Sequence, residues 1–135
     1  MSEIVSYEQK GLAILRIEQD VPPKEIVQTI NEYVRKLKSE DRSLNDENTL
    51  ALGCLLGWQY IRGFDWHWAE VVWDFDEDRS AIGVLPRDNS LFINPMWWMH
   101  DTLNRRDFTN FLLNYNMVAA NNIPSARPDE AVGFH

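Results

Sequence analysis

The stretch LGCLLGWQYIRGFDWHWAEVVWD, residues 52–74, sets a helix directly before a strand and decides the fold. Its first half belongs to residues 47–62, which are apolar on nearly every side, as is typical of a helix in the middle of a domain. Gly53 and Gly57 share one face of that helix, where each costs about 1 kcal/mol relative to alanine. We therefore expect a neighbouring element to press against this face, and Gly63 to end the helix in the left-handed conformation.

The second half of the stretch starts a series of strands. WHWAEVVWDF (66–75) is followed by SAIGVLP (80–86) and SLFINP (90–95), and the links DEDR and RDN carry turn chemistry. Consecutive strands with such short links must be antiparallel, because a parallel crossover needs a dozen or more residues. The sequence thus predicts a three-stranded antiparallel sheet in meander order.

Helices are predicted before and after these strands in the sequence. Residues 22–40 have apolar side chains at three-and-four spacing, and Asn45 or Asp46 is suited to cap the next helix. Residues 96–122 predict one or two C-terminal helices packed on the sheet, and 123–135 read as a tail. For residues 1–20 the sequence leaves two interpretations open, a strand and the end of a short helix. The prediction is a single α+β domain over 1–135, with N-terminal helices, the meander and the C-terminal helices in that order.

The charge of the chain limits its partners. Its 21 acids and 13 bases give a formal net charge of −8. This sign repels phosphate backbones and anionic lipid headgroups, so direct binding of nucleic acid or membrane is not expected. The same sign speeds association with a basic protein, because complementary fields raise encounter rates.

The cysteine content and the first residues indicate a reducing compartment. Cys54 is the only cysteine, which leaves neither an intramolecular disulfide nor a thiolate metal cluster. The start MSEIVSYEQK has neither the basic nor the apolar part of a signal peptide, and the apolar run 50–61 is too short to span a bilayer. A cytoplasmic location is the expectation.

The motifs of residues 48–108 resemble a small bacterial domain of unknown function. In that family a helix with L-G-x-x-x-G precedes a Trp-started, valine-rich strand, a second strand, and a third strand that closes on proline. The matching segments here are LGCLLG (52–57), WAEVVWD (68–74), SAIGVLP and LFINP, which ends at Pro95. The resemblance implies an αβββα core and no activity. By size, charge and architecture the chain is also similar to immunity proteins that bacteria pair with secreted toxins.

Neither a catalytic nor a metal-binding motif stands out. Cys54 lies in the middle of an apolar helix, where a thiol is usually inert, and no nucleotide-binding fingerprint is present, so no cofactor is expected. Asp74, Asp76 and Asp78 occupy the first, third and fifth positions of a calcium loop, but Arg79 replaces the glycine of the sixth position. Leu85 replaces the glutamate of the twelfth. We expect these acids to be solvated, with no metal site.

The tryptophans of the first strand leave two interpretations open. Alternation along a strand places His67, Ala69, Val71, Trp73 and Phe75 on one face, which reads as core. The other face carries Trp66, Trp68, Glu70, Val72 and Asp74. Either helices cover both faces, or Trp66 and Trp68 are partly exposed and form a patch ringed by acids. The residues of such a partner-binding patch are Trp66, Trp68, Glu70, Asp74, Asp76, Glu77 and Asp78.

These observations favour a non-catalytic cytoplasmic protein that binds another protein. The specific hypothesis is an immunity protein that neutralises a cognate bacterial toxin, with a basic toxin domain as the partner. The alternative is a small-molecule binder or enzyme with a pocket between the sheet and the C-terminal helices. That pocket would be lined by Trp58, Trp97, Trp98 and His100. A homodimer formed through the same aromatics is a third possibility.

Overall fold

The computed structural model describes residues 2–73, 76–105 and 110–135, with side chains placed for 3–72, 80–105 and 110–135. The elements in chain order are α1 (Ser2–Leu15), α2 (Pro23–Ser39), α3 (Asp46–Phe64), β1 (His67–Trp73), β2 (Asp76–Leu85), β3 (Leu91–Phe92), α4 (Pro95–Asn104), α5 (Phe111–Ala119) and β4 (Val132–Gly133). The predicted α+β class is confirmed. Among the described residues, no helix has both the length and the apolar character needed to cross a membrane.

Helix α1 fills the N-terminal segment that the sequence leaves open. It packs along α3, and the contact is close because Gly11 has no side chain. A Cβ atom at Gly11 would lie 2.9 Å from the carbonyl oxygen of Ala51 and 2.9 Å from Cβ of Leu55. At the same contact Nζ of Lys10 pairs with the carboxylate of Glu47 at 2.7 Å.

Helix α2 forms where the apolar spacing predicts it. Pro23 stands at its first turn, where the missing amide hydrogen removes no helical hydrogen bond. The apolar stripe faces the core, and Ile26, Ile30 and Val34 are fully buried. The remaining faces carry the charged residues, so α2 is the amphipathic outer helix that the sequence indicates.

Helix α3 is the centre of the domain. Every residue from 51 to 60 except Trp58 is buried. Oδ1 of Asn45 accepts the backbone N–H of Asn48 at 2.7 Å, which confirms the predicted N-cap. The prediction for Gly63 is wrong, because α3 continues to Phe64 and Asp65 adopts the left-handed conformation at φ 60° and ψ 35°. Gly63 is instead a place of close approach, where a Cβ atom would collide with the hydroxyl of Tyr115.

The glycine face of α3 is pressed by its neighbours, as predicted. A Cβ atom at Gly53 would lie 2.7 Å from Cα of Met96, which is backbone at the start of α4. A Cβ atom at Gly57 would lie 2.5 Å from Cη2 of Trp68 and 2.9 Å from Cγ of Pro95. The two glycines therefore let α4 and the Trp68 ring sit directly on the central helix.

The predicted three-stranded meander is wrong. Strands β1 and β2 form an antiparallel hairpin, but β3 has two residues, and the bridge to Val84 of β2 is made by Ile93, which follows β3. The chain leaves the sheet there because Asn94 caps α4, its Oδ1 accepting the N–H of Trp97 at 3.0 Å. Strand β3 pairs in parallel with β4, which the two C-terminal helices make possible.

Residues 123–135, predicted as a tail, include β4. The N–H of Val132 donates to the carbonyl of Ser90 at 2.9 Å, and the N–H of Phe134 donates to the carbonyl of Phe92 at 3.0 Å. Ala131 is buried in a small second cluster, whereas Val132 and Phe134 pack against the main core. Alternating apolar side chains thus hold the segment in place from both sides.

The assignment of strand faces is also corrected. The main core lies on the face of Trp66 and Trp68, together with Val84, which is paired with Trp68 across the hairpin. Ala69 and Val71, predicted as core, border the smaller cluster of Leu85, Phe92 and Ala131. The reason is that α3 and α4 cover the tryptophan side. The side chain of Trp73 and all of Phe75 lie outside the described residues.

Candidate functional site

Trp66 and Trp68 belong to the architecture of the domain. Trp66 is 6% exposed, and its ring lies 5.4 Å from that of Tyr60. Trp68 keeps part of its surface in water, but its ring rests on Gly57. The interpretation in which helices cover this strand face holds for Trp66, so the pair does not form an exposed patch.

The rest of the predicted patch is described only in part. Glu70 is exposed and is paired across the hairpin with Ile82. Asp74 lies outside the described residues, as do the side chains of Asp76, Glu77 and Asp78, whose backbone starts β2. The exposed apolar residues beside Glu70 are Val72 and Ile82, at 52% and 41% exposure. Sequence reasoning missed Ile82 as a surface residue, although its register opposite Glu70 follows from the hairpin pairing.

A buried carboxyl group lies against Trp68. Glu8 of α1 is 5% exposed, and burial raises its pKa to about 7. The indole N–H of Trp68 faces the carboxylate and offsets part of that rise in pKa. The geometry falls short of a full hydrogen bond, since Nε1 of Trp68 has no partner of good geometry within the described part of the chain. Glu8 is thus a titratable group in the interface of α1, α3 and β1.

Cys54 is a structural residue. Burial, reinforced by the negative charge of Glu8, raises the pKa of the Cys54 thiol to about 12. A thiol with such a pKa stays protonated at neutral pH and is a poor nucleophile and metal ligand. No group of three or more His, Cys, Asp or Glu side chains among the described residues has the geometry of a metal site.

Among the residues whose side chains are described, the exposed aromatic one lies at the N-terminal end of α4. Trp97 is 51% exposed, whereas its neighbour Trp98 is 2% exposed and packs on Phe111 with ring centroids 4.7 Å apart. Adjacent residues on a helix point about 100° apart, so one tryptophan of the doublet faces the core and the other faces water. Both residues were predicted for the alternative pocket.

Two clefts flank Trp97. The first, the Leu50 cleft, has a volume of about 360 Å³. Its lining residues are Asp46, Thr49, Leu50, Met96, Trp97 and His100. The second, the His135 cleft, has a volume of about 410 Å³. Its lining residues are Trp97, Trp98, Asp101, Arg105, Gly133 and His135.

The structure therefore divides the predicted pocket. Trp97 and His100 line the Leu50 cleft, and Trp97 and Trp98 line the His135 cleft. Trp58 lines neither of them and lies instead under the guanidinium of Arg62, 4.9 Å from its ring centroid. The lining residues of the two clefts belong to α3, to α4 with its C-cap Arg105, and to the C-terminal segment.

The His135 cleft combines aromatic rings with an ion pair. The imidazole of His135 is stacked on Trp98 at 5.6 Å and tilted against Trp97 at 5.7 Å. Nε of Arg105 donates to Oδ1 of Asp101 at 2.8 Å. Partial burial lowers the pKa of His135, and the nearby Asp101 carboxylate acts in the opposite direction. Such a cleft can hold a planar or cationic group between rings and a carboxylate.

Three residues of this cleft escaped sequence reasoning. Asp101 of α4 and Arg105, the residue after its last turn, are four residues apart, a spacing that predicts an ion pair. His135 gave no signal, because it follows a segment that reads as a tail. Only the parallel pairing of β3 and β4 brings it to the tryptophan doublet.

Comparison of the chain with protein-family models, with curated proteins and with solved structures finds no match. The resemblance to the small bacterial domain and to immunity proteins accordingly stays a prediction.

Proposed function

We propose that this chain is a non-catalytic protein-binding domain of the immunity type, which neutralises a cognate basic toxin domain by occupying its active site or substrate-binding surface. The observation that carries the proposal is the exposure of Trp97, at 51%, between two clefts. Tryptophan is one of the residue types most enriched among those that dominate the binding energy of protein interfaces.

The binding surface proposed here differs from the one expected from sequence. With Trp66 buried, the tryptophan-centred surface moves to α4, and we define the Trp97 surface as Trp97 with the Leu50 and His135 clefts. Acidic side chains border it, namely Asp46 in one cleft and Asp101 in the other. The exposed side of the hairpin, with Glu70, adds to the acidic field that attracts a basic partner.

The sign of the charge favours a basic partner. The formal net charge of −8 raises the encounter rate with a cationic protein, and a toxin that acts on nucleic acid carries such a charge. The inert state of Cys54 supports a binding role rather than a catalytic one, because the thiol is not available as a nucleophile.

Co-expression with the toxin domain encoded beside this chain tests the proposal. The wild-type protein should restore growth and co-elute with the toxin as a complex. Trp97→Ala should lose at least about 2 kcal/mol of binding free energy, the size of a hot-spot truncation. Leu113→Ala is the matched control, since Leu113 is 58% exposed on α5 and lines neither cleft. Absence of both growth rescue and a complex would end the proposal.

A small-molecule-binding protein or enzyme is the second candidate, and the His135 cleft favours it. Its volume of about 410 Å³ lies within the range of small-ligand sites, and it has convergent polar groups in Asp101, Arg105 and His135. Native mass spectrometry of the protein purified from its own cell separates the two candidates. A small molecule retained by the wild type and lost in Trp97→Ala would favour this second function.

A further inference from the structure

The His135 cleft already holds a guanidinium group. Arg105, at the C-terminal end of α4, places Nε 2.8 Å from Oδ1 of Asp101. The Asp101 side chain is 20% exposed, so its carboxylate is largely withdrawn from water, whereas the Arg105 side chain is 63% exposed. Asp101 is thus the more buried partner of the ion pair and Arg105 the more exposed one.

The remaining walls are aromatic. Trp97 offers an exposed indole, and the imidazole of His135 lies 5.7 Å from it at an interplanar angle of 51°. A planar cation that lies on the exposed part of the Trp97 indole gains cation–π contact with tryptophan, the best aromatic partner for a guanidinium. The Asp101 carboxylate supplies the matching charge and the geometry for two parallel N–H donors.

The arginine side of this ion pair is open to competition. The Arg105 side chain is 63% exposed, so water screens its attraction to Asp101. An arginine of a partner that gains the same carboxylate, the Trp97 ring and the other contacts of an interface competes with Arg105 for Asp101. The acidic balance of the chain, −8, favours arrival of a cation over arrival of an anion.

We propose that the His135 cleft is a guanidinium site, in which an arginine side chain of the basic partner displaces Arg105 from Asp101 and stacks on Trp97. The inference rests on the proposed function for the identity of the partner, and it deepens that function by naming the group that is recognised. A free organic cation has related chemistry, and the experiment below separates the two sources.

The test is a titration of the full chain, labelled with ¹⁵N, followed through the indole N–H signals of its tryptophans. The probes are N-acetylarginine amide, the neutral isostere N-acetylcitrulline amide, and choline. The arginine probe should shift the Trp97 signal saturably and bind at least about fivefold more tightly than the citrulline probe, because only the former is charged. Equal binding of these two probes would overturn the proposal. Choline binding more tightly than arginine would assign the cleft to free quaternary cations and overturn it as well.

Two variants with matched controls locate the site. Asp101→Asn should weaken binding of the arginine probe about fivefold, while Asp46→Asn, which removes the same charge from the Leu50 cleft, should leave it unchanged. Arg105→Gln should tighten binding by up to about fivefold, because it removes the internal competitor. Arg42→Gln is its control, since Arg42 is an exposed arginine paired with Glu40 at 3.2 Å.

The Arg105→Gln variant protects the test against a folding artefact, because a damaged protein does not bind more tightly. Unchanged or weaker binding in this variant would contradict the displacement. The titration needs no toxin, so its failure leaves the co-expression test intact. Conversely, saturable arginine binding together with a failed co-expression test would reject the toxin and retain the guanidinium site.

Discussion

Trp66, just before β1, and Trp68, within it, lie two residues apart, whereas Trp97 and Trp98 are adjacent on a helix. The strand spacing sends the first two side chains to the same side, where α3 covers them. The helical spacing turns the second two about 100° apart, so that Trp98 is buried at 2% exposure and Trp97 stays at 51%. The element that carries a pair of tryptophans therefore decides whether the pair is architecture or leaves one ring for a partner.

The largest effect is expected from a substitution in the first pair, Trp66 and Trp68. Trp66→Ala should lower the free energy of unfolding by about 3–5 kcal/mol, because it empties a buried site that contacts Tyr60. Urea denaturation measures the change. A loss below about 1 kcal/mol would mean that the ring is not part of the core, and would contradict the difference between the two tryptophan pairs.

The polar neighbour of Trp68 should make stability depend on pH. Glu8 has a pKa of about 7 in the folded protein against an ordinary value of 4.5, so the folded state binds its proton more tightly than the unfolded state does. Its contribution is complete below about pH 4.5 and is lost as pH rises through 7, a loss of about 3 kcal/mol at higher pH.

Glu8→Gln checks this prediction, because glutamine does not titrate. The difference in unfolding free energy between variant and wild type should grow in favour of the variant by about 3 kcal/mol from pH 4 to pH 9. Unfolding measured at several pH values gives this difference. A difference that stays constant with pH would show that Glu8 is solvated, and that the Trp68 side of the sheet is open to water.

A smaller effect concerns the surface on which α4 sits. Gly53→Ala should lower the free energy of unfolding by about 2 kcal/mol, the balance of about 3 kcal/mol of overpacking and about 1 kcal/mol of gained helix propensity. We expect a cost at the upper end of the usual range for overpacking, because the added Cβ atom would lie 2.7 Å from Cα of Met96, which is backbone. Thermal unfolding measures it. Gly133→Ala is the control, since its Cβ atom would meet nothing within 4 Å, and equal effects of the two changes would contradict the close approach.

The smallest effect on stability is expected at the exposed tryptophan. Trp97→Ala should change the free energy of unfolding by less than about 1 kcal/mol, because half of the ring is already in water. The same urea experiment as for Trp66 measures it. A loss comparable to that of Trp66→Ala would show that both pairs are architecture.

The sequence predicts the helices well and the sheet poorly. The apolar spacing of α2 and the glycine face of α3 are local signals, and both are confirmed. The meander fails because the strand-like SLFINP also contains the helix cap Asn94 and the helix-starting Pro95, and these end β3 after Phe92. The tail prediction fails because the partner of β4 lies about forty residues away in the chain, a pairing that no local pattern indicates.

For the candidate site, too, the sequence indicates what is local and not what depends on long-range pairing. Trp97, Trp98 and His100 are recognised from residue type, and the structure assigns them to two clefts rather than one pocket. Which tryptophan of the doublet is exposed cannot be deduced until the orientation of the helix is known. His135 reaches the cleft only through β4, so its place depends on the tertiary fold.

Binding of the proposed cognate toxin domain to two variants, one altered in each tryptophan pair, decides between the two candidate surfaces. Trp97→Ala and the conservative Trp68→Phe are titrated against the toxin domain by calorimetry, after urea unfolding has shown that both are folded. We expect Trp97→Ala to lose at least about 2 kcal/mol of binding free energy and Trp68→Phe to bind like wild type. Full affinity in Trp97→Ala together with lost affinity in Trp68→Phe would contradict this expectation and return the binding surface to the first strand.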